Sequence, residues 1–114
     1  MEIDASAIKR MATSTPREEI DIDQILLSCI EKGFDRFDTS FKTVVYFSLK
    51  TSQGIEGKGL VQKPLSFAKG LRDMFGAGST AIEKSIVTEI GERFRISTRQ
   101  EDLVSIINRV RNAH

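Results

Sequence analysis

The sequence predicts an all-α domain, a compact bundle of about five helices joined by short connections that glycine or proline marks. Apolar residues recur at three- and four-residue steps in several stretches, the spacing that places side chains on one face of a helix. No stretch alternates apolar and polar residues for long enough to predict a convincing strand. The two prolines, Pro16 and Pro64, stand where helices can begin, because proline fits a first turn and disrupts later ones.

The first amphipathic stretch predicts a helix from Asp21 or Asp23 to Phe37. An earlier start is also open, because Thr15 and Glu18 have the spacing of a capping box. The residues that share the apolar face are Ile22, Ile25, Leu26, Cys29, Ile30, Phe34 and Phe37.

The second stretch predicts a helix from Thr39 to Thr51, capped by Asp38, Thr39 or Ser40. Its apolar stripe consists of Phe41, Val44, Val45 and Leu49, widened by Tyr46 and Phe47. Because apolar residues cover so much of its circumference, we expect this helix to be central in the bundle. The β-branched and aromatic run at 44–47 is also compatible with a short strand, but the four-residue spacing favours a helix.

A glycine-containing loop follows from Gln53 to Lys63, with apolar side chains available to anchor it, namely Ile55, Leu60 and Val61. The third helix is predicted from Pro64 to Phe75, and Gly76 stands where a left-handed helix terminator is expected. The buried stripe of this helix consists of Phe67, Ala68, Leu71, Met74 and Phe75.

The last two helices are predicted from apolar stripes that follow possible capping residues. Ser79 or Thr80 is expected to cap the fourth helix, whose buried face consists of Ile82, Ile86, Val87, Ile90 and Phe94. Thr98 and Glu101 have capping-box spacing before the fifth helix, whose stripe consists of Leu103, Ile106, Ile107 and Val110.

These patterns predict a flexible N-terminal arm over residues 1–20 and a single helical domain over residues 21–114. The residues that we expect to form the core are Ile25, Cys29, Phe34, Phe41, Val45, Phe67, Leu71, Phe75, Ile82, Ile86, Ile90 and Ile107.

Composition and charge exclude several classes of protein. The chain has 17 Lys and Arg against 16 Asp and Glu, which argues against a strongly electrostatic nucleic-acid binder but leaves room for a local basic patch. Cys29 is the only cysteine and suits a reducing compartment. No secretory leader or membrane span is recognisable, so we expect a cytoplasmic protein that does not enter a membrane.

No residue pattern predicts an enzyme, a metal site or a cofactor. Cys29 lies within an apolar stripe, where packing is the simplest role for a cysteine. His114 is the only histidine and cannot form a catalytic pair or a metal site alone. The glycine loop at 54–59 lacks the glycine–lysine–hydroxyl ending of a phosphate-binding loop. The glycines at 76–78 precede a helix that could hold an anion, although ending one helix and starting the next explains them.

Three arginines form the one candidate site that the sequence offers. Arg93, Arg95 and Arg99 cluster around the end of the fourth predicted helix, where they could meet an anionic partner or a nucleic acid. Favourable interaction with the helix dipole is the structural alternative. The preceding helix–glycine–helix unit also suggests a helix-turn-helix, but Glu83 and Glu89 on its reading helix would repel phosphates.

One stretch resembles a known family. The sequence Leu71-Arg72-Asp73-Met74-Phe75-Gly76-Ala77-Gly78, followed by Ile82-Glu83-Lys84 and Ile86, resembles the fifth class of Nitrosopumilus output domains. Gly33, the aromatic segment 43–49, Pro64 and Phe67 occur in the order found in that family, so the resemblance spans Ile25 to Ile96. It implies an archaeal signalling output domain and supplies no catalytic residue.

The leading functional hypothesis is therefore a regulatory protein-interaction module without enzymatic activity. Its partner is an unidentified protein, and homodimerisation is the simplest form, because two-fold dimers are the commonest oligomers. The alternative is a nucleic-acid-binding regulator that uses the arginines near the end of the fourth helix. A ligand pocket between helices, lined by Tyr46 and phenylalanines, is a third hypothesis.

Overall fold

The computed structural model describes residues 21–113, and it confirms the all-α prediction. Within this range there are six α-helices and no strand; five helices span 11 to 16 residues and one forms a single turn. The helices are α1 (Ile22–Phe34), α2 (Phe41–Gln53), α3 (Gly59–Gln62), α4 (Pro64–Phe75), α5 (Ser79–Phe94) and α6 (Leu103–Ala113). The arm predicted for residues 1–20, with the Thr15 capping box, lies outside the described residues, as does His114.

Helix α1 begins where an aspartate caps it. The side chain of Asp21 accepts a hydrogen bond of 3.1 Å from the Gln24 amide, which satisfies one of the free N–H groups of the first turn. The helix ends at Phe34, so the predicted end at Phe37 was wrong. Asp35 donates its amide to the Glu31 carbonyl, and the chain then turns toward α2.

Helix α2 begins without a side-chain cap. Ser40 occupies the N-cap position in a helical conformation and caps no amide; its hydroxyl instead donates to the Asp38 carboxylate at 2.8 Å. The predicted cap was therefore wrong, although the predicted helix is confirmed over the strand alternative. Only Val45 and Leu49 are fully buried, whereas Val44 and Phe47 are exposed. The expectation of a central helix was also wrong, because α2 lies at the surface.

The glycine loop contains a feature that the sequence did not reveal. Gly54 ends α2 with a left-handed φ of 69°, and residues 59–62 form the one-turn helix α3. The predicted anchoring is confirmed, because Ile55, Leu60 and Val61 are all buried. The loop is thus folded against the bundle by its apolar side chains.

Helices α4 and α5 are joined almost continuously. Helix α4 has the predicted bounds, and Gly76 ends it with a φ of 54° and a ψ of −128°, which only glycine adopts readily. Residues 76–78 form a 3-10 turn that leads directly into α5. Ser79 is the first residue of α5 and no side chain caps it, so the caps predicted at Ser79 or Thr80 were wrong.

The segment between α5 and α6 begins with an unusual residue. Arg95 ends α5 in the left-handed conformation, with φ 56° and ψ 48°. Asp102 caps α6 by accepting a 2.8 Å hydrogen bond from the Ser105 amide. The prediction that Thr98 and Glu101 form a capping box was wrong, because Glu101 donates its amide to the Thr98 carbonyl in a turn before the helix.

The core lies between α1 and α5, and the other helices close around it. The ring of Phe34 meets the rings of Phe41, Tyr46 and Phe67 edge to face. The predicted core residues that are fully buried are Cys29, Phe34, Val45, Phe67, Leu71, Ile82, Ile86, Ile90 and Ile107. Ile25, Phe41 and Phe75 are only half-buried, which corrects their placement, because they lie at the margin of the helical face toward the core.

Candidate interaction surface

The outer side of α2 exposes large apolar side chains. Val44 is 57 % exposed and Phe47 is 69 % exposed, and Phe37, in the turn before the helix, is 37 % exposed. Val44 and Phe47 are three residues apart, which places them side by side on one face. We call Phe37, Val44 and Phe47 the α2 face. Clustered exposed apolar side chains are typical of surfaces at which proteins associate.

Stacked aromatic rings fix one edge of the α2 face. The ring of Phe37 stacks on Phe41 with a centroid distance of 4.9 Å, and Phe41 stacks on Phe75 at 5.4 Å. Phe41 also contacts the buried ring of Phe34 at 5.6 Å. Because this series of rings leads from the surface into the core, Phe37 is supported by the packed interior.

The charges around the α2 face are unevenly distributed. Helix α2 contains Lys42 and Lys50 and no acidic residue, whereas Asp35 and Asp38 lie in the turn that precedes it. Lys42 lies 3.9 Å from Asp35, and Lys50 lies 3.6 Å from Glu56, both in exposed pairs. Such pairs contribute little to stability and can exchange partners. Asp38, in the turn before α2, thus has no ion-pair partner among residues 21–113, whereas Lys50 is the last charged residue of α2.

A fourth exposed apolar residue lies apart from the α2 face. Leu65 in α4 is 74 % exposed. Gly70 of the same helix faces α2, because a Cβ atom there would collide with the side chain of Leu49. Five residues separate Leu65 from Gly70, which corresponds to about 140° around the helix. Leu65 therefore points away from α2 and does not extend its exposed face.

The three arginines predicted as a patch for an anionic partner or a nucleic acid differ from the other arginines of residues 21–113. Arg93, Arg95 and Arg99 are exposed and make no ion pair with any described residue. The other four all contact carboxylates, in the pairs Arg36–Glu89, Arg72–Glu83, Arg109–Glu101 and Arg111–Asp23. Arg109 and Arg111, near the end of α6, are thus already engaged with carboxylates.

The fold does not bring all three arginines to one hollow. Arg93 lines a hollow of about 370 Å³ between α1 and α5, together with Lys32 and Glu92. Arg99 lines a larger cleft on another part of α5. Arg95 is exposed at the end of α5, in the left-handed conformation described above. They therefore do not form a single compact binding site.

Cys29 lines the smaller hollow but is itself only 3 % exposed. Burial raises the pKa of its thiol; the nearby Arg93 guanidinium lowers that pKa to a lesser extent. Burial likewise raises the pKa of Tyr46, which donates a hydrogen bond of 3.1 Å to Glu31. Both groups hold their protons at neutral pH, so neither is a nucleophile in this setting.

Further observations concern metal ions and membranes. Among residues 21–113, no group of three or more histidine, cysteine or acidic side chains could hold a metal ion. No helix in the same range has the length and apolar character needed to cross a bilayer.

No protein-family model, curated protein or solved structure matches this chain. Membership of the Nitrosopumilus output-domain family therefore stays a prediction from the residues quoted above. Sequence reasoning included Val44 and Phe47 in the buried stripe of α2 and so missed the exposed surface. One signal was available: α2 is apolar around most of its circumference, while the domain is small enough to bury only one side of most helices.

Proposed function

We propose that this domain is a homotypic protein-interaction module in which the α2 faces of two copies pack against each other. The observation that carries the proposal is the exposure of Val44 and Phe47 on one side of a helix whose other side buries Val45 and Leu49. Pairing would remove these side chains from water, and each square ångström of apolar surface so buried contributes about 25 cal/mol.

An antiparallel arrangement of the two α2 helices satisfies two-fold symmetry. In a two-fold interface, every contact occurs twice. If one residue of the first copy contacts a second residue of the other copy, that second residue in the first copy also contacts the first residue of the other copy. Phe47 of one copy then packs on Val44 of the other, and Val44 packs on Phe47. The two helix dipoles also run in opposite directions in this arrangement, which is the favourable orientation.

Charge complementarity supports the same arrangement. When Phe47 lies opposite Val44 of the second copy, Lys50 lies opposite Phe41 and within about one helical turn of Asp38 of the second copy. Lys50 can reach this carboxylate through its long side chain. A parallel arrangement would instead place Lys50 beside Lys50, where like charges repel. Asp38 before α2 of one copy and Lys50 near the C-terminal end of α2 of the other copy thus complement each other in charge.

The first test measures self-association of the full 114-residue chain by sedimentation velocity, from about 10 µM to about 1 mM. We expect a concentration-dependent dimer that Phe47→Asp abolishes. Leu65→Asp is the matched control, because Leu65 is equally exposed but lies outside the α2 face. A monomer at all concentrations, or equal weakening by both substitutions, would refute the proposed pairing.

A charge exchange tests the antiparallel register. Lys50→Glu and Asp38→Lys should each weaken self-association about tenfold, because each replaces two attractive contacts with repulsive ones. A mixture of the two variants should recover dimerisation, since the attractive contacts are restored in the mixed pair. If the mixture associates no better than either variant alone, the register is wrong.

The regulatory part of the proposal rests on the family resemblance. A signalling output domain without chemistry acts through association, and the α2 face supplies a surface for it. We also propose a cytoplasmic location, which suits the single buried thiol of Cys29. Detection of a tagged chain in another compartment of its native host would contradict this location.

A second candidate function, binding of nucleic acid, is favoured by one observation. Arg93, Arg95 and Arg99 have no carboxylate partner among residues 21–113 and are thus free to contact phosphates. Amide NMR titration with random duplex DNA at low and then at higher salt tests it. Shifts at these arginines that disappear with salt would support nucleic-acid binding, and the absence of shifts at low salt would exclude it.

A further inference from the structure

A second surface feature is independent of α2. A cleft of about 510 Å³ lies between α5 and the segment that joins it to α6. One wall consists of residues that share a face of α5, including Thr80, Glu83, Lys84 and Val87, and the other consists of residues 98–103. This volume is within the range of small-molecule sites, roughly 300–1,000 Å³.

Two polar groups that line the cleft have no hydrogen-bond partner among residues 21–113, and one of them is buried. Ser79 is 3 % exposed, and its hydroxyl bonds to no described residue. The side chain of Glu83 is 15 % exposed and forms an ion pair with the Arg72 guanidinium at 3.8 Å, which is beyond hydrogen-bond distance. Buried polar groups are nearly always bonded, so unpartnered groups that line a cleft indicate a place for a ligand.

Three cationic and three acidic side chains line the cleft, and two of the cations have no ion-pair partner. Lys84 and Arg99 line the cleft and pair with no acidic group within residues 21–113. Two of the acidic residues that line it are engaged elsewhere: Glu101 accepts a hydrogen bond from Arg109, and Asp102 caps α6. Glu83 is the remaining carboxylate, and Arg72 lies beside it. Lys84 and Arg99 are therefore the two charged side chains of the cleft that neither pair with an opposite charge nor cap a helix.

The floor of the cleft is apolar. Val87 is 6 % exposed and Leu103 is fully buried, and both line the cleft. A ligand that fills the cleft therefore meets a small apolar surface at Val87, hydroxyl groups and Glu83 on the wall, and two cations. Few positioned polar groups around an apolar base are typical of small-molecule sites.

We propose that this cleft binds a small phosphate ester that carries hydroxyl groups and has about the size of a nucleoside monophosphate. The phosphate group is held by Lys84 and Arg99, because guanidinium and ammonium groups match the charge and oxygen geometry of a phosphate dianion. A ligand hydroxyl donates to Glu83, as ribose hydroxyls do to carboxylates in nucleotide sites. The flat apolar part of the ligand lies over Val87.

The phosphate and the hydroxyl groups of the ligand are both needed to give every unpartnered polar group of the cleft a partner. A bare anion would satisfy the two cations but would leave Glu83 without a donor and would be repelled by it. A neutral polyol would satisfy Glu83 but would leave Lys84 and Arg99 unpaired. Only a ligand with a phosphate and separate hydroxyl groups satisfies both walls.

The test is an amide NMR titration of the full chain with adenosine 5′-monophosphate, adenosine and inorganic phosphate as separate probes. We expect the monophosphate to shift residues 79–88 and 98–103, with an affinity at least about tenfold above that of either other probe. No shifts with the monophosphate would overturn the proposal. Equal binding of inorganic phosphate would also overturn it, because the cleft would then be an anion site only.

Substitutions test which residue binds the phosphate of the ligand and which binds its hydroxyl groups. Arg99→Ala should weaken binding of the monophosphate about tenfold, whereas Glu83→Gln should weaken binding of the monophosphate but strengthen binding of inorganic phosphate, which Glu83 repels. Arg95→Ala is the matched control, because Arg95 is exposed and unpaired but does not line the cleft. If Arg95→Ala weakens binding as much as Arg99→Ala does, binding is unspecific electrostatic attraction and the proposed site is wrong.

Discussion

The hydroxyl of Ser85 donates a hydrogen bond of 3.0 Å to the backbone carbonyl of Gly33, inside the interface between α1 and α5. Gly33 makes this contact possible, because a Cβ atom there would lie 2.9 Å from Cγ1 of Ile86 and 3.0 Å from its Cα atom. The two helices therefore approach more closely than side chains would allow. This interface contains much of the core, so the domain depends on the glycine.

Substitution of this glycine tests the close approach. Gly33→Ala should lower the free energy of unfolding by about 1–3 kcal/mol, because α1 and α5 must separate to relieve the overlap. Gly78→Ala is the control, since its Cβ would meet only Phe75 at an ordinary 3.8 Å. That substitution should leave stability unchanged or raise it by less than about 1 kcal/mol. Urea denaturation measures both, and equal effects would contradict the packing described here.

Two phenylalanines, one buried and one exposed, provide a test of which residues form the core. Phe67 is fully buried and Phe47 is 69 % exposed. Phe67→Ala should lower the free energy of unfolding by about 3–5 kcal/mol, the usual loss for a buried phenylalanine. Phe47→Ala should change it by less than about 0.5 kcal/mol, because the side chain already lies in water. Thermal and urea denaturation at low protein concentration, where the chain is monomeric, should show the contrast; similar losses would place Phe47 in the core.

The helices and most of the core were predictable from the sequence because the same spacing of apolar residues indicates both where a helix forms and which of its faces is buried. Helix α4 has the predicted bounds, since Pro64 favours its first turn and Gly76 its end. The stripe of α6 is buried as predicted because it has one apolar face and one polar face. Helix α2 differs, because a helix with apolar residues all around leaves open which side faces the interior.

The helix caps could not be predicted reliably because several hydroxyl or acidic residues competed for each position. Asp102, rather than Thr98, caps α6, since the turn at residues 98–101 moves the start of the helix. Ser79 caps nothing, because a 3-10 turn leads directly into α5. Such outcomes depend on tertiary packing, which local spacing does not specify.

The candidate sites were predictable only in part. Sequence reasoning selected Arg93, Arg95 and Arg99 by proximity along the chain, and the structure leaves these three without ion-pair partners among residues 21–113. It could not predict that Arg99 faces Glu83 and Lys84 across a cleft, because these residues lie on opposite sides of a turn and meet only after folding. The exposure of Val44 could not be predicted either, because it depends on which side of α2 packs against the rest of the folded domain.

The carboxyl group of Glu83 gives a prediction for pH. Burial raises its pKa above the usual 4.5, although the nearby Arg72 partly opposes the shift. A raised pKa means that the ionised form destabilises the folded chain, and this cost is present at neutral pH. Below pH 4.5 the carboxyl group is protonated in both the folded and the unfolded chain, and the cost disappears.

Glu83→Gln should therefore raise the free energy of unfolding at pH 7, and the gain should decline as the pH falls toward 4. Urea denaturation across this range measures the effect. Glu56→Gln is the control, because the Glu56 side chain is 70 % exposed and should give almost no change at any pH. A loss of stability in Glu83→Gln at pH 7 would show instead that its interaction with Arg72 outweighs burial.

The left-handed backbone of Arg95 gives the last prediction. A residue with a side chain at φ 56° and ψ 48° pays a steric cost that glycine avoids, and glycine is the usual residue at this position after a helix. Arg95→Gly should raise the free energy of unfolding by about 0.5–1 kcal/mol, after allowance for the greater freedom of glycine in the unfolded chain. Arg99→Gly removes the same charge at a residue without a positive φ and should lower stability by a similar amount. Changes of opposite sign in denaturation experiments would confirm the conformation of Arg95, whereas a loss in both variants would show that its side chain contributes more than its backbone costs.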